Sequence, residues 1–148
     1  MCSSDLSTKR ADRPSGHAGS NRGPGRALIA VYLLFTIAAS ARAGYQIATR
    51  FHEAPLAYLL SALAAVIYLV ATIGLARDTR GGWRTAVTCC AVELAGVVTV
   101  GTVSLIAPEL FPDDSVWSGF GRGYGYVPLV LPVLGLLWLR HTARRRRG

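Results

Sequence analysis

Glu93 is the residue of this chain best placed to do chemistry, because of its neighbours. The run Thr88-Cys-Cys-Ala-Val-Glu-Leu-Ala-Gly-Val-Val-Thr-Val-Gly101 is otherwise apolar or small. A carboxylate in such a run must face a bundle interior, where it pairs with a cation, carries a proton or meets a ligand. Counted from Trp83 at the helical rise, Glu93 lies roughly 15 Å along its segment. Arg42, in Ala41-Arg42-Ala43, is the other ionisable residue deep inside an apolar run, roughly 20 Å along its own. The depths differ by less than the combined reach of the two side chains. An Arg42–Glu93 ion pair is therefore expected, structural in the bland reading and a proton or ligand site in the sharper one. Without that pair, Tyr68 or a second copy of the chain is the next partner for Glu93.

Other residues share faces with these two. Tyr58, Ser61, Ala65, Tyr68 and Thr72 recur at intervals of 3, 4, 3 and 4, which places them on one side of a helix. This polar stripe is helix-packing glue or a cavity lining. Ala38, Ala39, Arg42, Gln46 and Thr49 share a face one segment earlier, and Cys89, Glu93, Gly96 or Val97, Val100 and Ser104 share one in the segment after it. Cys89 and Cys90 are adjacent, so a disulfide between them would be strained, and they read as small apolar helix residues. No CxxC occurs, and His17, His52 and His141 are scattered. No catalytic set, metal site or cofactor is expected. Asp113 and Asp114 read as a solvated loop.

The elements that must position these residues are apolar helices. Half of the 148 residues are hydrophobic, and fifteen of the sixteen basic residues are Arg. A net charge of +8 would suit nucleic acid if the arginines formed one face of a folded domain. They flank long apolar runs instead, which points to a lipid bilayer and away from nucleic acid. Residues 1–26 are rich in Ser, Gly, Pro and Arg and read as a disordered tail. Four spans follow, at about 27–49, 55–76, 83–106 and 124–139. Pro132 and Gly135 are expected to kink the last, which lacks a polar stripe and reads as the most lipid-exposed. Residues 141–148 form a basic tail, in which Arg144, Arg145, Arg146 and Arg147 read as anchors to anionic lipid headgroups.

Loop charges set the orientation. The N-terminal tail, the connection holding Arg77, Arg80 and Arg84, and the C-terminus are basic, whereas the other two connections hold one arginine each, Arg50 and Arg122. Positive loops stay in the cytoplasm, so both termini are expected inside a bacterial plasma membrane. Tyr45, Phe51, Tyr58, Trp117, Phe120, Tyr124 and Tyr126 would then line the outer interface, and Tyr32, Trp83 and Trp138 the inner one. Ala41-Arg42-Ala43 also fits a signal-peptidase site, and cleavage after Ala43 would leave three spans in the same orientation. The helical pattern continuing through Gly44-Tyr45-Gln46-Ile47 favours a retained span.

The stretches "RAGYQIATRFHEAPLAYLLSALAAV" and "VPLVLPVLGLLWLRH" resemble the small four-span membrane proteins of actinobacteria, across residues 27–140. That resemblance implies an all-α bundle and brings no activity with it. Three function classes follow, in this order. The first is a non-catalytic membrane protein packing against itself or a partner. The second is a small proton-coupled transporter using Glu93. The small multidrug resistance family also carries a membrane-embedded Glu, but in its first span, whereas Glu93 stands in the third. The third is an enzyme, for which the CxxC of four-span thiol oxidoreductases is lacking.

Overall fold

The computed structural model describes residues 23–148. The chain is all-α over these residues: α1 is Gly23–Arg50, α2 is Pro55–Ala76, α3 is Arg80–Ile106 and α4 is Val127–Arg145. The first three are long and apolar enough to cross a membrane. The fourth passes the same test together with the short Ser118–Tyr124 helical turns, from which it is bent by 98°. At 22 residues, α2 is about 33 Å long, matching a hydrocarbon core of roughly 30 Å. The expected tail at 1–26 lies mostly outside the described residues. Its last part, Gly23–Arg26, is the first turn of α1. At the other end α4 runs on to Arg145, so much of the basic C-terminal run is helix. Arg and Ala are good helix formers, and cations suit a helix C-terminus.

Consecutive helices pack as neighbours, α1 on α2, α2 on α3 and α3 on α4. The connections are short where the helices simply reverse. Pro55 starts α2 at a position where its missing N–H costs nothing. Thr79 caps α3 by accepting from the Gly82 amide at 3.0 Å. One end of the bundle gathers the α1 start, the α2–α3 turn and the α4 end, and carries most of the arginines. The opposite end holds the α1–α2 turn and the long α3–α4 connection.

Small side chains make the helix contacts close. Ala57, Ala64, Ala65, Ala71 and Gly74 all face inward on α2. In lipid, such close approach supplies the van der Waals contact that holds helices together. A Cβ on Gly74 would come within 3.0 Å of the Ala86 amide nitrogen and of the Gly82 carbonyl oxygen, so α2 and α3 nearly touch backbones there. Leu34, Ile37, Leu63, Val66, Leu105 and Leu137 face outward, as a lipid-facing surface requires. Pro132 is buried inside α4, where the helix continues through it. The sharp change of direction comes earlier, next to Gly125 and Tyr126, which both have positive φ. On α4, Pro128, Leu131, Gly135 and Leu139 are also buried, so this helix is a packed member of the bundle.

The connection between α3 and α4 folds back into the bundle. Ser115, Val116, Trp117 and Ser118 are each less than 5% exposed. Two glycines of α3 make the room. A Cβ on Gly96 would meet the Trp117 ring at 2.8 Å, and one on Gly101 would meet the Phe120 backbone nitrogen at the same distance. Gly119, Phe120 and Gly121 all have positive φ. For Phe120 that conformation costs on the order of 1–3 kcal/mol, offset by seating its ring against Gly101.

Candidate functional site

Glu93 lies within α3 and is fully buried. It makes no ion pair with Arg42. The Tyr32 hydroxyl of α1 donates to Glu93 Oε2 at 2.9 Å. The same hydroxyl lies 3.4 Å from Cys90 Sγ. A phenol has one proton, so when Tyr32 donates to Glu93 its oxygen is left to accept from the Cys90 thiol. Cys90 sits one turn before Glu93, and α4 allows the approach through Gly135, where a Cβ would fall 2.9 Å from Cys90 Sγ. Tyr68 of α2 completes the surroundings, its ring 6.1 Å from that of Tyr32. Four helices thus meet at one carboxyl.

Among the described residues Glu93 Oε1 has no hydrogen-bond partner, and Glu93 is fully buried. The Tyr68 hydroxyl and the Trp117 indole nitrogen stand next to each other, outside ordinary hydrogen-bond geometry. An unpartnered buried polar group costs on the order of 1–3 kcal/mol, so Glu93 Oε1 is the atom a small polar guest would satisfy.

Arg42 is engaged elsewhere. Its guanidinium donates to the Tyr124 hydroxyl and to the Asp114 carbonyl, both at 3.2 Å, and lies 5.7 Å from the Tyr124 ring centroid. The expected pair fails because the loop supplies Arg42 with other acceptors. Arg42 is nineteen residues past Gly23, whereas Glu93 is thirteen past Arg80. The resulting offset of about 9 Å is still within the combined reach of the two side chains, so depth alone does not separate them. The long arginine arm then turns away from the apolar interior, toward the loop.

The polar stripe of α2 is buried along its whole length, with Tyr58, Ser61, Tyr68 and Thr72 each under 9% exposed. Its members do different things. Tyr58 donates to Asp113 Oδ2 at 3.1 Å, beside Gln46, which donates to the same oxygen at 3.2 Å. Ser61 donates to the Ala57 carbonyl and accepts from the Val116 amide. Thr72 bonds back to the Tyr68 carbonyl at 2.7 Å and is satisfied within its own helix. Asp113, expected in solvent, is half-buried and ties the loop to two helices. Ser104 adds a further tie by accepting from the Gly119 amide at 2.9 Å.

Several of these residues escaped the sequence reading. Tyr32 and Trp117, expected at interfaces, are buried in the core, whereas Tyr58 is buried as a member of the expected stripe. A signal for Tyr32 existed: Leu28, Tyr32, Thr36, Ala39 and Ala43 recur at helical spacing and form the buried face of α1. Ala38 and Thr49, expected on that face, are exposed. On α3 it is Cys90, and not Cys89, that reaches the core.

At the basic end, Arg146 forms an ion pair with Asp78, and Arg145 Nε donates to His141 Nε2 at 3.1 Å. Arg144 and Arg147 are exposed. Among the described residues no group of three or more His, Cys, Asp or Glu could hold a metal ion.

The chain matches no protein-family model, no curated protein and no solved structure. Its own geometry is therefore what a functional reading must rest on.

Proposed function

We propose that this chain is a non-catalytic, multi-pass protein of a bacterial plasma membrane, acting by assembly with itself or with a partner in the bilayer. Both termini and the turn after Ala76 lie on the cytoplasmic side in this reading, because the arginines cluster there. The observation that carries it is the use of the interior polar groups. Gln46, Tyr58, Ser61, Ser104 and Arg42 hold the re-entrant loop, and Glu93 accepts from Tyr32. These contacts tie the loop and the helices into one packed bundle. Chemical cross-linking in native membranes tests the reading. A defined homo-oligomer or a stoichiometric complex with one membrane protein is the expected product.

A second reading is favoured by one specific observation. Among the described residues Glu93 has no cationic partner, and its second oxygen accepts no hydrogen bond. A carboxyl in such a place could exchange a proton in a small proton-coupled transporter. Proteoliposomes under a pH gradient separate the two readings. Proton movement that disappears in Glu93→Gln would replace assembly with transport. Equal, background flux in both proteins is expected if the carboxyl is structural.

A further inference from the structure

The basic end of the bundle contains a cleft of about 440 Å³ between the start of α1, the α2–α3 turn and the end of α4. Its volume falls in the range of small-molecule sites, roughly 300–1,000 Å³. Three arginines from three separate stretches of chain line it: Arg26, Arg77 and Arg146. Asp78 is the acidic residue among them, and its carboxylate is taken by Arg146. Three cations against one anion leave the cleft positive. Arginines contributed by different elements suit a phosphate, which guanidinium groups can grip by paired N–H donors.

The walls are fixed. Trp83 is pinned by its indole N–H donating to the Leu139 carbonyl at 3.2 Å. Trp138 lies over Gly25, where a Cβ would be 2.6 Å from its ring. Gly82 keeps the α2–α3 turn beside the cleft tight, since a Cβ there would fall 2.5 Å from the Arg77 carbonyl oxygen. Indole rings at this level are typical of a membrane–water boundary. On the side toward the bundle middle, Ile29 and Leu75 give the cleft an apolar margin. A soluble anion would have no use for that margin, whereas an acyl chain would.

We propose that this cleft binds the phosphate of an anionic phospholipid, held by Arg26, Arg77 and Arg146, with an acyl chain running past Ile29 and Leu75. The proposal rests on the chain being embedded in a bilayer. It goes beyond a diffuse attraction of the C-terminal arginines to anionic headgroups, because it selects Arg146 from that run and adds two residues far from it in sequence.

The full-length protein, purified and placed in nanodiscs of phosphatidylglycerol and phosphatidylcholine, tests it by native mass spectrometry of the released protein. The wild type should retain phosphatidylglycerol about tenfold over phosphatidylcholine, which corresponds to about 1.4 kcal/mol. Arg26→Gln/Arg77→Gln/Arg146→Gln should lose that preference. Arg140→Gln/Arg144→Gln/Arg145→Gln removes the same charge outside the cleft and should change it less than twofold. Equal losses in the two triple variants would overturn the site in favour of diffuse attraction. Displacement of the lipid by millimolar inorganic phosphate would overturn it in favour of a soluble ligand. Should the cleft variant fail to fold, the wild type alone decides. Acyl-brominated phosphatidylglycerol should quench tryptophan fluorescence more strongly than brominated phosphatidylcholine, because Trp83 and Trp138 line the cleft. Equal quenching would overturn the proposal. Failure of the wild type to enter nanodiscs at all would instead remove the bilayer reading beneath it.

Discussion

The carboxyl of Glu93 is tolerated because of a tyrosine, and that substitution of partner changes what a mutation should do. Tyr32→Phe removes a donor from a buried acceptor and is expected to destabilise the bundle by about 1–3 kcal/mol. In the Glu93→Gln background the same change should cost less, because a neutral amide oxygen takes a weaker bond than a carboxylate. Thermal melting in detergent, followed by size-exclusion of the surviving protein, gives the four corners of the cycle. Arg42→Gln should combine additively with Glu93→Gln, since the two residues share no contact. Non-additivity there would restore the ion pair. At this scale the sequence was legible only in part. An acidic residue in an apolar run announces itself, and its depth follows from counting. Its partner does not, because a tyrosine near a helix start gives the same signal whether it faces headgroups or the core. Arg42 misled for a related reason: counting depth does not show what else the bundle offers a flexible cation, and its acceptors at Tyr124 and Asp114 lie far away in sequence.

Among the elements, the α3–α4 connection departs furthest from expectation. Its glycines and aromatics, Trp117-Ser-Gly-Phe-Gly-Arg-Gly-Tyr-Gly-Tyr126, were visible as a composition, and the same composition suits an interfacial loop. What decides the outcome is long-range: Gly96 and Gly101 on α3 accept the Trp117 and Phe120 rings, and Ser61 and Ser104 accept the Val116 and Gly119 amides. No local pattern encodes those meetings. Gly101→Ala would press a methyl against the Phe120 backbone, which has no flexible end to move. It should cost about 1–3 kcal/mol. Gly44→Ala is the matched control, since nothing lies within 4 Å of a Cβ there, and it should be neutral or stabilising by up to about 1 kcal/mol. Melting temperatures of the two variants check this pair. A Gly101→Ala protein as stable as the wild type would mean the loop does not seat against α3. The polar stripe of α2 was the most legible element, because a 3, 4, 3, 4 spacing leaves a helix only one face to bury.

The whole molecule is organised as a gradient from a basic end to a re-entrant loop end, with the carboxyl between them. Hydropathy alone located the apolar segments, since a bilayer demands length and apolarity of any helix that crosses it. It could not tell that α4 leaves the Ser118–Tyr124 turns at a bend of 98°, because the turn depends on positive φ at Gly125 and Tyr126. How this gradient sits in the membrane decides which end meets the cytoplasm. Substituted-cysteine accessibility in intact cells measures it most directly, with single cysteines at Gly81 and Glu109 in a chain whose Cys2, Cys89 and Cys90 are replaced by Ala. Both positions are exposed and lie at opposite ends of the bundle. An impermeant maleimide should label Glu109→Cys from outside and reach Gly81→Cys only after the membrane is opened. Labelling of both positions from outside, or of Gly81→Cys alone, would contradict it.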